Sequence, residues 1–484
     1  MLASGENVKF NDIESITENI QLTFNNSTVS GVTTTDSNSV LNLNLNNSNW
    51  TTKAFTDEDG VVQTTSLTNL ALNNGVVNLA NDNYQGIIVR GNLTGSGTFN
   101  LNTNIAENKS DKIVVKGTAE GNHKIGVTNQ GANVANGKVT LVETNGGNAA
   151  FSLTNPNNRV DLGAYQYFLT KEGNNWVLAH SKNAVTSNAP VLPSTPLLSS
   201  LANAQVSLRQ AQLLVVEDDL SGIHQRLGEV KNGEKGNVWV RNVNSRQKLA
   251  ALSTGESETS GFKQNVHSVQ VGADAAVTDN LRVGGFVGRS QANVDFNGHY
   301  GDGKVRSNSV GLYAAYLADN GIYVDNIVKY SRLHANSDHT EKRHYNAYTI
   351  SSELGKRFSL ANDWTITPQA QLAWTHISSQ ENEDSLSSVY SRIGLRVAKG
   401  FALSNGWNLQ PYAEVNAITS KNRSSKIHYD KDALDVASSR GRFESAVGLN
   451  AGFANHRFGL EVSRADGKNF DKPYAIQAVY RYQW

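Results

Sequence analysis

Between residues 237 and 484 apolar and polar side chains alternate with a period of two, and this constrains the fold more than any other feature of the chain. The pattern divides into about twelve strands, near 237–248, 261–277, 281–296, 304–318, 321–337, 345–360, 363–380, 388–403, 407–422, 432–453, 456–469 and 472–484. Ile350, Leu354 and Phe358 share one strand face, while Ser351, Glu353, Gly355 and Arg357 share the other. The same split recurs with Ile393, Leu395 and Val397 against Arg392, Gly394 and Arg396, and with Phe458, Leu460 and Val462 against Gly459, Glu461 and Ser463. The polar face mixes both charge signs with many glycines, as a crowded barrel lumen would, which leaves the apolar face for lipid. An even number of strands suits an up-and-down barrel whose ends meet. Tyr323, Trp364 and Trp374 stand near strand ends and are expected in interfacial girdles. ADNG at 318–321 reads as a short turn on one side, and GESETS and SDHTEKRH as longer loops on the other. The chain ends on AVYRYQW, with Ala478, Tyr480, Tyr482 and Trp484 on one face and Val479, Arg481 and Gln483 on the other, so this is read as the closing strand.

Lys plus Arg equals Asp plus Glu at 43 each, so charge balance argues against a nucleic-acid partner. There is no cysteine, which spares a chain that crosses an oxidising compartment unfolded from trapping by disulfides. No run of about 18 apolar residues occurs, so a transmembrane helix is not expected, whereas a barrel strand needs only ~9–11 alternating residues. The start, MLASGENVKF, has neither the charged nor the apolar region of a signal peptide. A barrel reading therefore implies a longer precursor.

Residues 1–182 are rich in Asn, Thr, Ser and Gly. FNNSTV at 24–29, LNNSNW at 45–50 and LNNGVV at 72–77 recur at repeat lengths typical of stacked strands and turns. LNLNLNN at 41–47 alternates strictly, and the Asn-Gly and Asn-Asn pairs tolerate positive φ at corners. A right-handed parallel β-helix is the reading, with a β-sandwich as its alternative. Residues 183–197, NAVTSNAPVLPSTPL, hold three of the seven prolines and read as a linker. From 198 to 235 the period changes: Leu213, Val216, Leu220, Ile223, Leu227 and Val230 step as one helix face. The part that carries this pattern, 198–230, would as one continuous helix reach ~50 Å. Residues 236–484 form the barrel.

Solenoid, linker, helix and twelve-strand barrel, in that order, resemble the type V autotransporters of the pertactin-like branch. The carrying residues in the first region are GNLTGSGTFNLNT (91–103), SDKIVVKGTAEGNHKIGV (110–127), KVTLVET (138–144) and DLGAYQYFLTKEGNNWVLA (161–179). In the second they are RLGEV (226–230), GNVWVRN (236–242), GIYVDNIVKYSRL (321–333), SSELGKRF (351–358), ITPQAQLAW (366–374) and AVYRYQW. The resemblance implies an all-β architecture with one α-helix threading the lumen, an outer-membrane barrel and a surface or secreted passenger of the adhesin or virulence type, with a ligand on a host or neighbouring cell. It further implies help from periplasmic chaperones and from the barrel assembly machinery, which reads Tyr480, Tyr482 and Trp484. Residues 100–180 correspond to the autochaperone end, with Tyr165, Phe168 and Trp176 capping the stack.

No GxSxG or HExxH occurs, His123 and His180 are the only histidines before the linker, and no cofactor or metal motif is present. The chemistry the sequence offers is self-cleavage. SSLANAQVSLRQ, 199–210, resembles the Asn-Ala junction of pertactin-like chains, at which the Asn203 amide attacks its own carbonyl and releases Ala204. Asp325 and Glu353 lie on the lumen face by parity and are the acids expected to assist; pairing with Arg392 or Arg396 is their alternative role. A passenger hydrolase encoded upstream and a porin-like channel are the competing functions.

Overall fold

The computed structural model describes all residues except 1, 5–7, 10–18, 53, 54, 57, 61, 80–83, 131–136, 187–190 and 230. Two compact units divide the chain, one of residues 1–199 with 429–432, the other of 200–428 with 433–484.

The first unit is a β-solenoid of about four turns. One parallel sheet runs through Asn19–Asn25, Val40–Asn46, Asn69–Leu79, Leu93–Asn104, Asn122–Asn129 and Ala150–Leu153. The repeats legible in the sequence are its register: Phe24 pairs with Leu45 and Leu45 with Leu72. All three side chains are buried, and inward leucines stack rung on rung. At the corner beyond them Asn26, Asn47 and Asn74 each take a positive φ, which Asn tolerates better than any other residue with a β-carbon. Outward amides form ladders, Asn46 Nδ2 donating to Asn25 at 2.8 Å and Asn69 Nδ2 to Asn42 at 2.8 Å. The stack ends on an antiparallel hairpin, Tyr165–Glu172 with Asn175–Ala179, whose second strand pairs with Lys138–Thr144. Trp176 packs on Phe151, Tyr165 on His180, and Phe168 against Val177 and Ala179. Val185 and Leu192 are buried in that same cluster, on either side of residues 187–190, the part of the proline-rich stretch that lies outside the described residues.

The second unit is a closed antiparallel barrel of twelve strands. They are β1 Gly236–Leu249, β2 Phe262–Ala276, β3 Leu281–Phe296, β4 Asp302–Leu317, β5 Ile322–Ser337, β6 Thr340–Lys356, β7 Trp364–Ile377, β8 Leu386–Lys399, β9 Trp407–Asn422, β10 Arg442–Phe453, β11 His456–Gly467 and β12 Phe470–Gln483. β12 closes on β1, with Tyr480 opposite Val240 and Tyr482 opposite Val238. Ile350, Leu354, Ile393, Leu395, Phe458, Leu460 and Val462 are exposed on the outside, while Ser351, Glu353, Arg392, Arg396 and Glu461 are buried in the lumen. The inverted pattern, apolar outside and charged inside, is that of a barrel in lipid. At one end the strands are joined by tight turns such as 277–280 and 318–321; at the other the connections include 250–261 and 378–385.

Three expectations change. SDHTEKRH is a tight turn at Asp338–His339, because β5 and β6 run on as a paired hairpin to Ser337 and Thr340. Tyr323 faces the lumen, where its hydroxyl donates to Glu353 at 2.8 Å, whereas Trp364 and Trp374 are outward and exposed. The segment read as one strand over 432–453 begins its barrel run only at Arg442, after a short hairpin of Lys426–Tyr429 and Asp432–Asp435.

Candidate functional site: the filled lumen

The helical pattern becomes two pieces, α1 Ser200–Asp218 and α2 Ile223–Leu227, broken where Gly222 crosses the lumen. A β-carbon at Gly222 would lie 2.6 Å from Glu353 Oε2, so the chain passes close against that carboxylate. Val230, the last residue of the expected face, lies outside the described residues. No one-sided stripe governs packing: Asn203, Gln205, Arg209, Gln210, Gln212 and Glu217 are buried as fully as Leu213 and Val216. A helix enclosed by a polar lumen must be polar on every side, since each buried polar group needs a partner.

Its partners come from around the wall. Arg209 donates to the carbonyls of Ser378 and Asp384 at 3.2 and 2.7 Å. Three consecutive acids, Glu217, Asp218 and Asp219, fan outward. Glu217 accepts from Ser420 at 2.8 Å and faces Arg442 at 3.8 Å. Asp218 pairs with Lys472 at 2.8 Å, and Asp219 accepts from Ser268 at 2.8 Å with Lys329 at 3.4 Å. Arg226 meets Asp325 at 2.7 Å, both almost wholly buried, and its guanidinium lies 4.2 Å over the Tyr313 ring. Beyond α2, Glu229 pairs with Arg357 at 2.6 Å. Beside α1 a cavity of about 90 Å³ remains, lined among others by Arg392, Glu414, Arg442 and Lys472, room for several waters by volume.

The residues expected to act on the Asn203–Ala204 bond are not gathered there. Asn203 and Ala204 are fully buried in the first turn of α1, and the Asn203 side chain both donates to Ser260 Oγ at 3.0 Å and accepts from Ser260 N–H at 2.8 Å. Ser260 belongs to the long connection between β1 and β2. Asp325 stands four residues after the β4–β5 tight turn, at the opposite end of the strands, on Arg226. Glu353 opposes Asp325 on β6 and holds the Ile223 N–H at 3.1 Å and Arg392 at 3.3 Å. Both acids therefore anchor α2, and the lumen cation role foreseen as their alternative is met by Arg226 and Arg392. The helix side of this web, Arg209, Arg226 and the acidic triplet, was missed; three successive acids on a segment leading into a barrel were the available signal.

At the seam, Tyr480 and Tyr482 point outward beside His456, whose Nδ1 lies 2.7 Å from the Tyr480 hydroxyl, and Trp484 is half exposed with its N–H donating to Gly236 O at 3.1 Å.

The autotransporter β-domain family matches residues 238–463, and the pertactin family matches 67–180. The pertactin autotransporter of Bordetella bronchiseptica is 28% identical over 378 residues, 67% of this chain and 41% of that protein. The BrkA autotransporter of Bordetella pertussis is 29% identical over 349 residues, 67% of this chain and 33% of its own length. The chain thus spans between a third and about two fifths of these relatives. The crystal structure of the BrkA β-domain covers 52% of this chain and all of its own at 25% identity, with a TM-score of 0.45.

Proposed function

The chain belongs to the autotransporters with a pertactin-type passenger, and from that premise we propose that its barrel carries the passenger across the outer membrane and holds it there through the lumen helix. The barrel lies in the outer membrane with the passenger at the cell surface. The observation that carries the proposal is α1: the segment joining passenger to barrel is enclosed on all sides by lumen groups.

The passenger acts as an adhesin, presenting its amide ladders and corners to a ligand on a host or neighbouring cell. Relatives bear the names pertactin and BrkA autotransporter, and the solenoid's long flat faces suit such a surface. Residues 100–180 fold first outside the cell and template the rungs before them, since their hairpin gives the stack a finished end. Periplasmic chaperones keep the chain unfolded on the way, and the barrel assembly machinery reads Tyr480, Tyr482 and Trp484, the outward aromatics at the end of the strand that closes last. Cells expressing the chain behind a signal peptide should retain a ligand-bearing cell layer, and deleting residues 19–180 should abolish retention while the barrel persists in the membrane fraction. Equal retention without the passenger overturns the adhesin reading.

Asn203–Ala204 is the junction at which passenger and barrel separate, by attack of the asparagine amide on its own carbonyl. With Asp325 and Glu353 engaged around α2, the reaction proceeds without them. A barrel fragment beginning at Ala204 is expected in wild type and in Asp325→Ala and is expected to vanish in Asn203→Gly. An intact chain in wild type removes the junction from the account.

A further inference from the structure

The outer surface of the barrel is not the same all the way round. In the half of β1–β6 nearer the long connections, eight cations point outward: Arg246 and Lys248 on β1, Lys263 on β2, Arg289 on β3, Lys304 and Arg306 on β4, Arg332 on β5 and Lys342 on β6. They stand directly beyond an outward apolar band that includes Val240, Val271, Val287, Leu312, Val328 and Ile350. Three carboxylates, Asp295, Asp302 and Glu341, share the region, and none of the eight cations makes an ion pair with a described residue. On β7–β12 the outward cations in the corresponding half are Lys421 and Arg464, and Arg464 is bound by Asp466 at 2.8 Å.

The register sets like charges side by side. Lys248 lies opposite Lys263, with Asp471 on the other side of Lys248 and Asp295 on the other side of Lys263, and Arg289 and Arg332 flank Asn308 from its two sides. Like charges on facing positions destabilise a sheet unless something neutralises them. A cleft on this wall is lined by Arg246, Lys263 and Lys304, by the amides of Asn265 and Asn293, and by Asp295 and Asp302, three cations against two carboxylates. Tight turns face the periplasm in such barrels, which sets this band at the level of the outer leaflet's headgroups.

We propose that the outward face of β1–β6 beyond the apolar band is a binding surface for the phosphate groups of outer-leaflet lipid. It rests on the outer-membrane orientation above and adds a directional contact: one wall of the barrel gathers anionic lipid, the other does not. The mechanism is charge neutralisation, so it weakens with salt, and each basic residue near an anionic surface contributes separately.

The test uses the purified full chain in zwitterionic phospholipid vesicles, with the temperature at which the barrel loses its folded gel mobility as readout. A few mole per cent of a doubly phosphorylated glycolipid is expected to raise that temperature, the same glycolipid without phosphates is not, and 0.5 M salt should erase the rise. The triple variant Lys263→Gln, Lys304→Gln, Arg306→Gln should weaken the apparent affinity on the order of tenfold to a hundredfold, with Arg464→Gln as the unaffected control. Equal stabilisation by dephosphorylated lipid, or by inorganic phosphate at matched concentration, overturns the proposal, as does wild-type affinity in the triple variant. Folded gel mobility without lipid reports barrel integrity, so a failed membrane fold is distinguishable from a failed lipid contact, and the dephosphorylated arm needs no variant.

Discussion

Inside the lumen Arg226 and Asp325 are close to fully buried and 2.7 Å apart, so each is tolerable only because of the other. Asp325→Ala leaves a buried guanidinium unpaired and is expected to cost about 3–5 kcal/mol. Replacing both with leucine should recover most of that loss, read as the unfolding temperature of the folded gel band. A single variant no worse than the double would show that the pair carries no coupling. Parity alone made Asp325 and Glu353 legible as lumen acids, because side-chain direction in a strand follows from residue number. It could not say which height of the helix each would meet, since that depends on where the helix breaks at Gly222. The misreading of Tyr323 has the same root: an aromatic near a strand end looks interfacial until parity is applied, and its odd number sets it beside Asp325.

At the level of elements the solenoid's repeats were legible down to register, Phe24, Leu45 and Leu72 stacking as their motifs suggested, because an in-register ladder repeats its side chains. Its end carries two pH-dependent contacts of opposite chemistry. The Lys138 ammonium, with the Thr186 N–H and hydroxyl, holds Glu172 down to about 2. A carboxylate lowered in the folded state stabilises above its ordinary value near 4.5, and the contribution fades as pH falls from there toward about 2. Glu172→Gln should therefore lower passenger stability at pH 7 and change it little at pH 2, an effect reduced by salt because the pair is partly solvated. His123 is buried between Phe99 and Phe151, donates Nε2–H to the Glu120 carbonyl at 2.9 Å, and is held below its usual value by burial. Its folded form resists protonation, so stability falls as pH drops below about 6.5, the ordinary histidine value. In chemical denaturation of the isolated passenger segment against pH, His123→Phe should flatten the loss below neutrality; an unchanged profile would assign it to other groups. The helix was legible in its existence and not in its form, because a hydrophobic stripe signals one buried face while a lumen buries all of them.

Over the whole molecule, a closed hydrogen-bonded ring leaves no strand edge, and the content of its lumen decides what passes. Deleting residues 198–227 removes Glu217, Asp218, Asp219 and Arg226 together and should turn a nearly closed barrel into an ion-conducting one in planar bilayers; silence after deletion would mean that the wall charges close the lumen unaided. Transport and display both require the barrel to be inserted with its long connections and its passenger outside. Because the chain has no cysteine, single cysteines can be placed without background at Asn148 in the passenger, Glu256 in a long connection and Asp319 in a tight turn, all three exposed. Intact cells treated with a membrane-impermeant maleimide should label Asn148→Cys and Glu256→Cys, with Asp319→Cys labelled only after the outer membrane is broken. Labelling of Asp319→Cys on intact cells, with Asn148→Cys protected, would contradict that orientation.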